Sequence, residues 1–249
     1  MGSEEQVYIT LPSNSSMNYF PDNTLASFKT KLLSPLELHD QWEVGLAEII
    51  YPYTWFNINF TNNQFKFLLN DEVIIVLRIP EGYYKDIEIV CRALVDILPL
   101  RLHNNINIFQ DSTSKRVHIE LDQVSGLYLS EGLGQVFGYP EGLVTGQQKS
   151  PFPPDLEGGI NTLYVYTDIV DEQRVGDVTA PLLRIVSVPR RRAGEFVTFT
   201  YGTPHYVPVK SKYVDTIQVD IRSDFGEKIP FQRGRVVIKL HFRSCNKLY

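Results

Sequence analysis

The chain has 249 residues, 24 basic against 29 acidic groups for a formal net charge of −5, and a content that is 43% hydrophobic and 12% aromatic. This supplies one large core, or a core plus a smaller second unit, and excludes a disordered chain, a collagen-like repeat and a small disulfide scaffold. Two cysteines are too few for a stapled secreted domain, no apolar run approaches the roughly 20 residues of a spanning helix, the polar acidic start does not read as a signal peptide, and the acidic balance argues against a general nucleic-acid binder. A reduced, intracellular setting is therefore expected. Fourteen Tyr and fourteen Phe among sixteen Gly and fifteen Pro describe strands punctuated by turns.

In chain order, Val7, Ile9 and Leu11 alternate with Tyr8 and Thr10, the period of a half-buried strand. After Ser13-Asn14-Ser15-Ser16 and the turn at Pro21-Asp22-Asn23, residues 24–33 read as a second strand. Trp42, Val44, Leu46 and Ile50 are expected on one face of a third, which stops at Tyr51-Pro52. The pattern then changes. Strands over 64–69 and 73–79 flank Asn70-Asp71, and Ile87, Val90, Cys91, Leu94, Val95 and Leu98 recur at helical spacing until Pro99. Strands over 106–109 and 117–121 follow, then a short helix from a Ser130 cap to a Gly138 stop. A Gly/Pro-rich stretch, 146–159, reads as a connector. Beyond it only strands are evident, over 163–169, 182–188, 197–201, 217–221 and 236–242.

Three strands before the middle segment and five after it make eight, the number in a jelly roll. The expected architecture is mainly β: a single jelly-roll β-sandwich formed by residues 1–60 and 160–249, with an inserted α+β unit of ββαββα order at 61–159. Two tandem domains fit less well, because three N-terminal strands alone cannot bury both faces of a sheet.

Chemistry finds little support in the residues. His118 and Glu120 share a strand face, but two ligands do not make a metal site, and no other His or Cys has ligand spacing. Cys91 falls on the apolar face of the helix and Cys245 near the C-terminus, neither in a thiolate-stabilising motif. No Gly-x-Ser-x-Gly elbow occurs. Gly132, Gly134 and Gly138 miss the dinucleotide fingerprint by one residue and overlap a helix. The carboxylate pairs Asp71/Glu72 and Asp171/Glu172 lie in turn-like contexts. No catalytic, cofactor or metal residue is nominated, and no enzymatic activity is expected. An oxygenase of the cupin type would need a His-x-His, which is missing from this sequence.

Charge clustering carries more weight. Arg190, Arg191 and Arg192 follow Pro189 in a hairpin loop. From Lys228 onward no acidic residue occurs, while Arg233, Arg235, Lys239, Arg243 and Lys247 are basic. These arginines and lysines are candidates for contact with an acidic partner surface or packaged nucleic acid; the competing reading is a solvated loop and a salt-bridged tail.

Several segments carry a family resemblance: Tyr8-Ile9-Thr10-Leu11-Pro12-Ser13-Asn14-Ser15-Ser16, Tyr19-Phe20-Pro21-Asp22-Asn23-Thr24, Trp42-Glu43-Val44-Gly45-Leu46-Ala47-Glu48-Ile49 and Tyr51-Pro52-Tyr53-Thr54-Trp55, with Ile229-Pro230-Phe231, Gly234 and Leu240-His241-Phe242-Arg243 near the end. Together they resemble the minor capsid, or penton, proteins of Polinton/Maverick elements and the related adintoviruses. The likeness covers the two pieces assigned to the sandwich. It implies a virion protein of such a transposable element or virus: a homopentamer at the fivefold vertices of an icosahedral capsid, beside a double jelly-roll major capsid protein. It further implies synthesis in the host cytoplasm, with assembly there or in the nucleus. Packaged DNA at the inner surface and a host receptor are further partners on this reading. Tyr51, Tyr53, Trp55 and Phe56 are then candidates for a subunit contact, against the plainer reading of core at a strand end. The insertion is expected to project outward, and the basic C-terminal stretch to face the interior or a neighbouring capsomer. The alternative function is a jelly-roll module that binds a glycan or cell-surface receptor.

Overall fold

The structure, a computed structural model, describes residues 5–69, 73–156, 160–189, 192–224 and 226–245. The chain divides into two compact units, one of residues 1–55 with 160–249 and one of 56–159.

The first unit opens with β1 (Gln6–Pro12), β2 (Ser27–Glu37) and β3 (Trp42–Pro52). The second supplies β4 (Gln64–Leu69), β5 (Val73–Arg78), α1 (Ile87–Asp96), β6 (Ile106–Gln110), β7 (Val117–Leu121), β8 (Gly126–Leu129), α2 (Glu131–Phe137), β9 (Gly142–Val144) and β10 (Gln147–Lys149). The chain then returns to the first unit as β11 (Thr162–Thr167), β12 (Gln173–Val175), β13 (Val178–Ala180), β14 (Leu182–Ser187), β15 (Phe196–Thr200), β16 (Tyr206–Pro208), β17 (Tyr213–Arg222) and β18 (Val237–Ser244).

One antiparallel sheet of the first unit runs β1-β18-β3-β15, with β16 pairing the other end of β3; the second runs β14-β11-β17-β2. Counting β15 and β16 as one interrupted strand and leaving out the short β12–β13 hairpin, these are eight strands in the orders 1-8-3-6 and 5-4-7-2. That is a single jelly roll. All eight expected strands are present. Their buried alternate residues form the core, with Leu11, Ile238, Leu240 and Phe242 from the first sheet and Phe28, Val165, Val219 and Ile221 from the second.

Strand β3 departs from simple alternation. Its register against β18 shifts between Lys239 and Leu240, so that Lys239 opposes Glu48 while Leu240 opposes Leu46. The extra residue, Ala47, is a β-bulge, and it flips the parity of everything after it. Val44 and Leu46 are buried before it, and Ile49 and Tyr51 after it, while Ile50 is only half-buried. The expectation that Ile50 shares the face of Trp42, Val44 and Leu46 is thereby corrected.

The second unit contains two sheets, β5-β4-β8-β9 and β10-β7-β6, with the helices contributing Val90, Cys91, Leu94, Leu133 and Phe137 to its core. Helix α1 is capped by Asp86, which accepts from Ile89 N. In α2, Ser130 accepts from Leu133 N and Gly138 closes the helix at φ 77°. Strands β8, β9 and β10 are additions to the ββαββα expectation. They were hidden by Gly126, Gly142 and Gly146, which weaken a strand pattern, and β10 occupies part of the expected connector while pairing with β7.

Topology also fixes the ends of the sandwich. The loops β1–β2, β14–β15 and β17–β18 lie at the end where β3 runs into the second unit and β11 returns from it. Three hydrogen bonds tie that end together: Ser13 N to Val236 O at 2.8 Å, Gly194 N to Tyr53 O at 2.7 Å, and Val188 N to Asn161 O at 2.9 Å.

Candidate assembly surfaces

The aromatic cluster proposed as a surface lies in the core. Tyr51, Tyr53 and Trp55 are 0%, 2% and 2% exposed. Tyr51 turns inward because of the Ala47 bulge. The Tyr53 and Trp55 rings sit 4.5 Å apart, and Phe231 from the β17–β18 loop meets Trp55 at 5.8 Å and Tyr51 at 6.4 Å. These rings plug the insertion end of the sandwich, so the first three residues cannot meet a neighbouring subunit without unfolding it. The reading of an exposed contact gives way, for them, to that of core. Phe56, the first residue of the second unit, is half-buried.

The basic candidates separate into three groups. Arg192, Arg233 and Arg235 are exposed on the loops at the insertion end. The fold brings the Arg233 guanidinium to the loop that carries Arg192, 41 residues earlier in the chain. A Cβ at Gly194 would lie 3.8 Å from the Arg233 guanidinium, and one at Gly234 would lie 2.9 Å from Pro52 and 3.8 Å from the Phe196 ring. Thr54 Oγ1 donates to Arg233 O at 3.0 Å, which pins the β17–β18 loop over the aromatic plug. Among the described residues none of the three arginines has a carboxylate partner. Phe196, 60% exposed, lies beside them.

Lys239 and Arg243 form the second group, on the outer face of the first sheet, where each already has partners. Arg243 Nη2 lies 2.9 Å from Glu43 Oε2, and its guanidinium stacks 3.6 Å above the Tyr206 ring. The hydrogen bond that Arg243 donates to Glu43 raises the Arg243 pKa further. Lys239 Nζ lies 5.5 Å above the Tyr8 ring. The third group, Arg190, Arg191 and Lys247, lies outside the described residues.

The same outer face holds a row that the sequence did not single out. Register aligns Tyr8, His241, Gly45 and Tyr206 across β1, β18, β3 and β16. The Tyr8 and His241 rings are parallel at 4.2 Å. Tyr206 OH lies 2.7 Å from Nδ1 and Gln6 Oε1 lies 2.9 Å from Nε2, so the neutral imidazole donates from Nε2 to Gln6 and accepts at Nδ1 from Tyr206. Burial, with Arg243 nearby, lowers the His241 pKa. Tyr206 crosses to His241 over Gly45, where a Cβ would meet Pro204 Cβ at 2.7 Å and His205 O at 2.9 Å. Alternation alone puts Tyr8 and His241 outward; their adjacency needs the strand order.

The remaining chemical candidates are occupied structurally. Cys91 is 2% exposed, its thiol pKa pushed up to about 12, chiefly by burial. His118 stacks on Phe109 at 5.2 Å, and Glu120 accepts from Asn107. Cβ atoms at Gly132, Gly134 and Gly138 would strike Asn62, Tyr139 O and Phe152 O, so this glycine spacing serves close packing. Among the described residues, no three His, Cys, Asp or Glu side chains gather as a metal site, and no helix is long and apolar enough to cross a membrane.

No protein-family profile matches the chain, and no curated protein matches it in sequence. Among solved structures it is similar to the penton protein of mavirus, with a TM-score of 0.57 and 12% identity over 97% of this chain and 100% of that one. The fold is penton-like. Because 97% of the chain is covered, the likeness extends through the inserted unit as well as the sandwich.

Proposed function

We propose that this chain is a structural protein of the virion, the penton at the fivefold vertices of an icosahedral capsid, acting by self-assembly into a homopentamer and by contact with a double jelly-roll major capsid protein. The observation that carries this reading is the 1-8-3-6 and 5-4-7-2 strand order with an insertion after the third strand, in a fold shared along nearly its whole length with a penton protein. A ring of five uses two different surfaces of each copy, since rotational symmetry above twofold makes heterologous contacts. The two outer sheet faces are suited to that role, being rich in polar and aromatic groups such as Tyr8, Tyr206 and Arg243 on one and Tyr164, Tyr166 and Asp220 on the other.

Arg192, Arg233 and Arg235 lie on loops at the end of the sandwich where β3 ends and β11 begins. On our reading the insertion projects outward, and the arginine patch faces a neighbouring copy. Size exclusion with light scattering, followed by negative-stain imaging, tests the assembly: fivefold rings are expected, and a monomer at every protein and salt concentration would count against it.

A further inference from the structure

Charge divides unevenly between the two units. Residues 56–159 carry 13 acidic and 8 basic groups, whereas the sandwich carries 16 of each, so the whole net charge of −5 belongs to the insertion. Within the neutral sandwich, Arg192, Arg233 and Arg235 are exposed and without carboxylate partners among the described residues, and the loop that carries Arg233 and Arg235 is held at its backbone by the Thr54–Arg233 bond and braced by Phe231 against Trp55. A loop braced in this way has less backbone freedom to lose when its guanidinium groups meet carboxylates.

We propose that this patch docks the acidic insertion of the neighbouring copy in the assembled ring, a proposal that rests on the ring reading above. Symmetry supplies the geometry. Rotation about a ring axis moves no point along that axis, so the end of the sandwich that bears the arginines in one copy is level with the end from which the next copy's insertion departs. Charge supplies the preference: the insertion's 13 acids, Glu81, Glu88, Asp96, Glu131 and Glu141 exposed among them, outnumber its 8 bases, and like-charged insertions side by side would repel one another unless a cationic surface lies between them. Duplex DNA is the competing occupant. It fits less well, because a DNA-lining surface calls for positive charge spread over the face, whereas the cations of the other group, Lys239 and Arg243, already engage Tyr8, Tyr206 and Glu43.

The test uses the full chain with Arg233→Lys, which keeps the charge and adds an amine for zero-length carbodiimide coupling to carboxylates. Rings are assembled from equal parts ¹⁴N- and ¹⁵N-labelled protein, and mixed-isotope cross-links are read by mass spectrometry. Links from position 233 of one copy to an acidic residue within 56–159 of another support the proposal. Rings whose only links from that position lie within one copy, or which give none, overturn it. In parallel, a triple charge reversal, Arg192→Glu, Arg233→Glu and Arg235→Glu, should lower the salt concentration at which rings dissociate several-fold. Rings of that variant as salt-resistant as the parent, together with lost binding of a short DNA duplex, would give the patch to nucleic acid instead. If the unmodified chain forms no rings at all, the assembly reading itself fails and the docking falls with it.

Discussion

The aromatic run Tyr51, Tyr53 and Trp55 and the basic loops around Arg192 and Arg233 lie at the same end of the sandwich, and both stand out in the sequence as possible contact surfaces. Folding separates them. The aromatics close the core beneath the surface, and the arginines lie above it on two loops, of which the one carrying Arg233 is braced by the same aromatics through Phe231. Removing aromatic area from water is favourable in any packing that allows it, so an aromatic cluster beside a strand end is claimed by its own chain before a partner can use it. A guanidinium has no such claim, because burying it unpaired is costly. The charged loops therefore stay outside.

The largest test of this contrast is Trp55→Ala. It should reduce the unfolding free energy by about 3–5 kcal/mol, as for other buried large aromatics. Chemical denaturation measures this, and a loss below about 0.5 kcal/mol would place the ring outside the core. Next comes Gly45→Val, which forces Tyr206 and Pro204 away from β3 and should lower stability by about 1–3 kcal/mol, read from the shift in denaturation midpoint. The pH dependence follows. His241 has a lowered pKa in the folded state, so the unfolded chain takes up the proton first, and the stabilisation is present above the unfolded value of about 6.5 and lost as pH falls through the folded value. Acidification from pH 7.5 to 5.5 should thus destabilise the wild type more than His241→Gln; equal losses in the two would remove His241 from the account. The smallest effect is expected for Arg233→Ala, within about 0.5 kcal/mol of wild type in monomer stability, since this side chain is exposed and has no carboxylate partner among the described residues.

Much of the sandwich was legible in the sequence because each of its strands is amphipathic or continuously apolar, as in Ile217 to Ile221 and Val236 to Phe242. The bulge at Ala47 was not. The bulge arises from pairing with Lys239 and Leu240 on a strand far along the chain, and Ala47 itself has nothing in its own neighbourhood to mark it. That single parity change turns Tyr51 into the core and leaves Ile50 half-buried, against simple alternation along β3. The strands β8 to β10 were obscured by glycines whose pairing depends on β4 and β7. The arginine loops were legible as charge, but their convergence, and the row from Tyr8 to Tyr206, follow from strand order and could not be read from spacing.

Native mass spectrometry of the purified full chain decides whether it closes into a pentamer. A dominant species of five times the chain mass that dissociates to monomer as ionic strength rises is expected. A monomer alone, or a series of open-ended oligomers without a closed five-copy species, would contradict it.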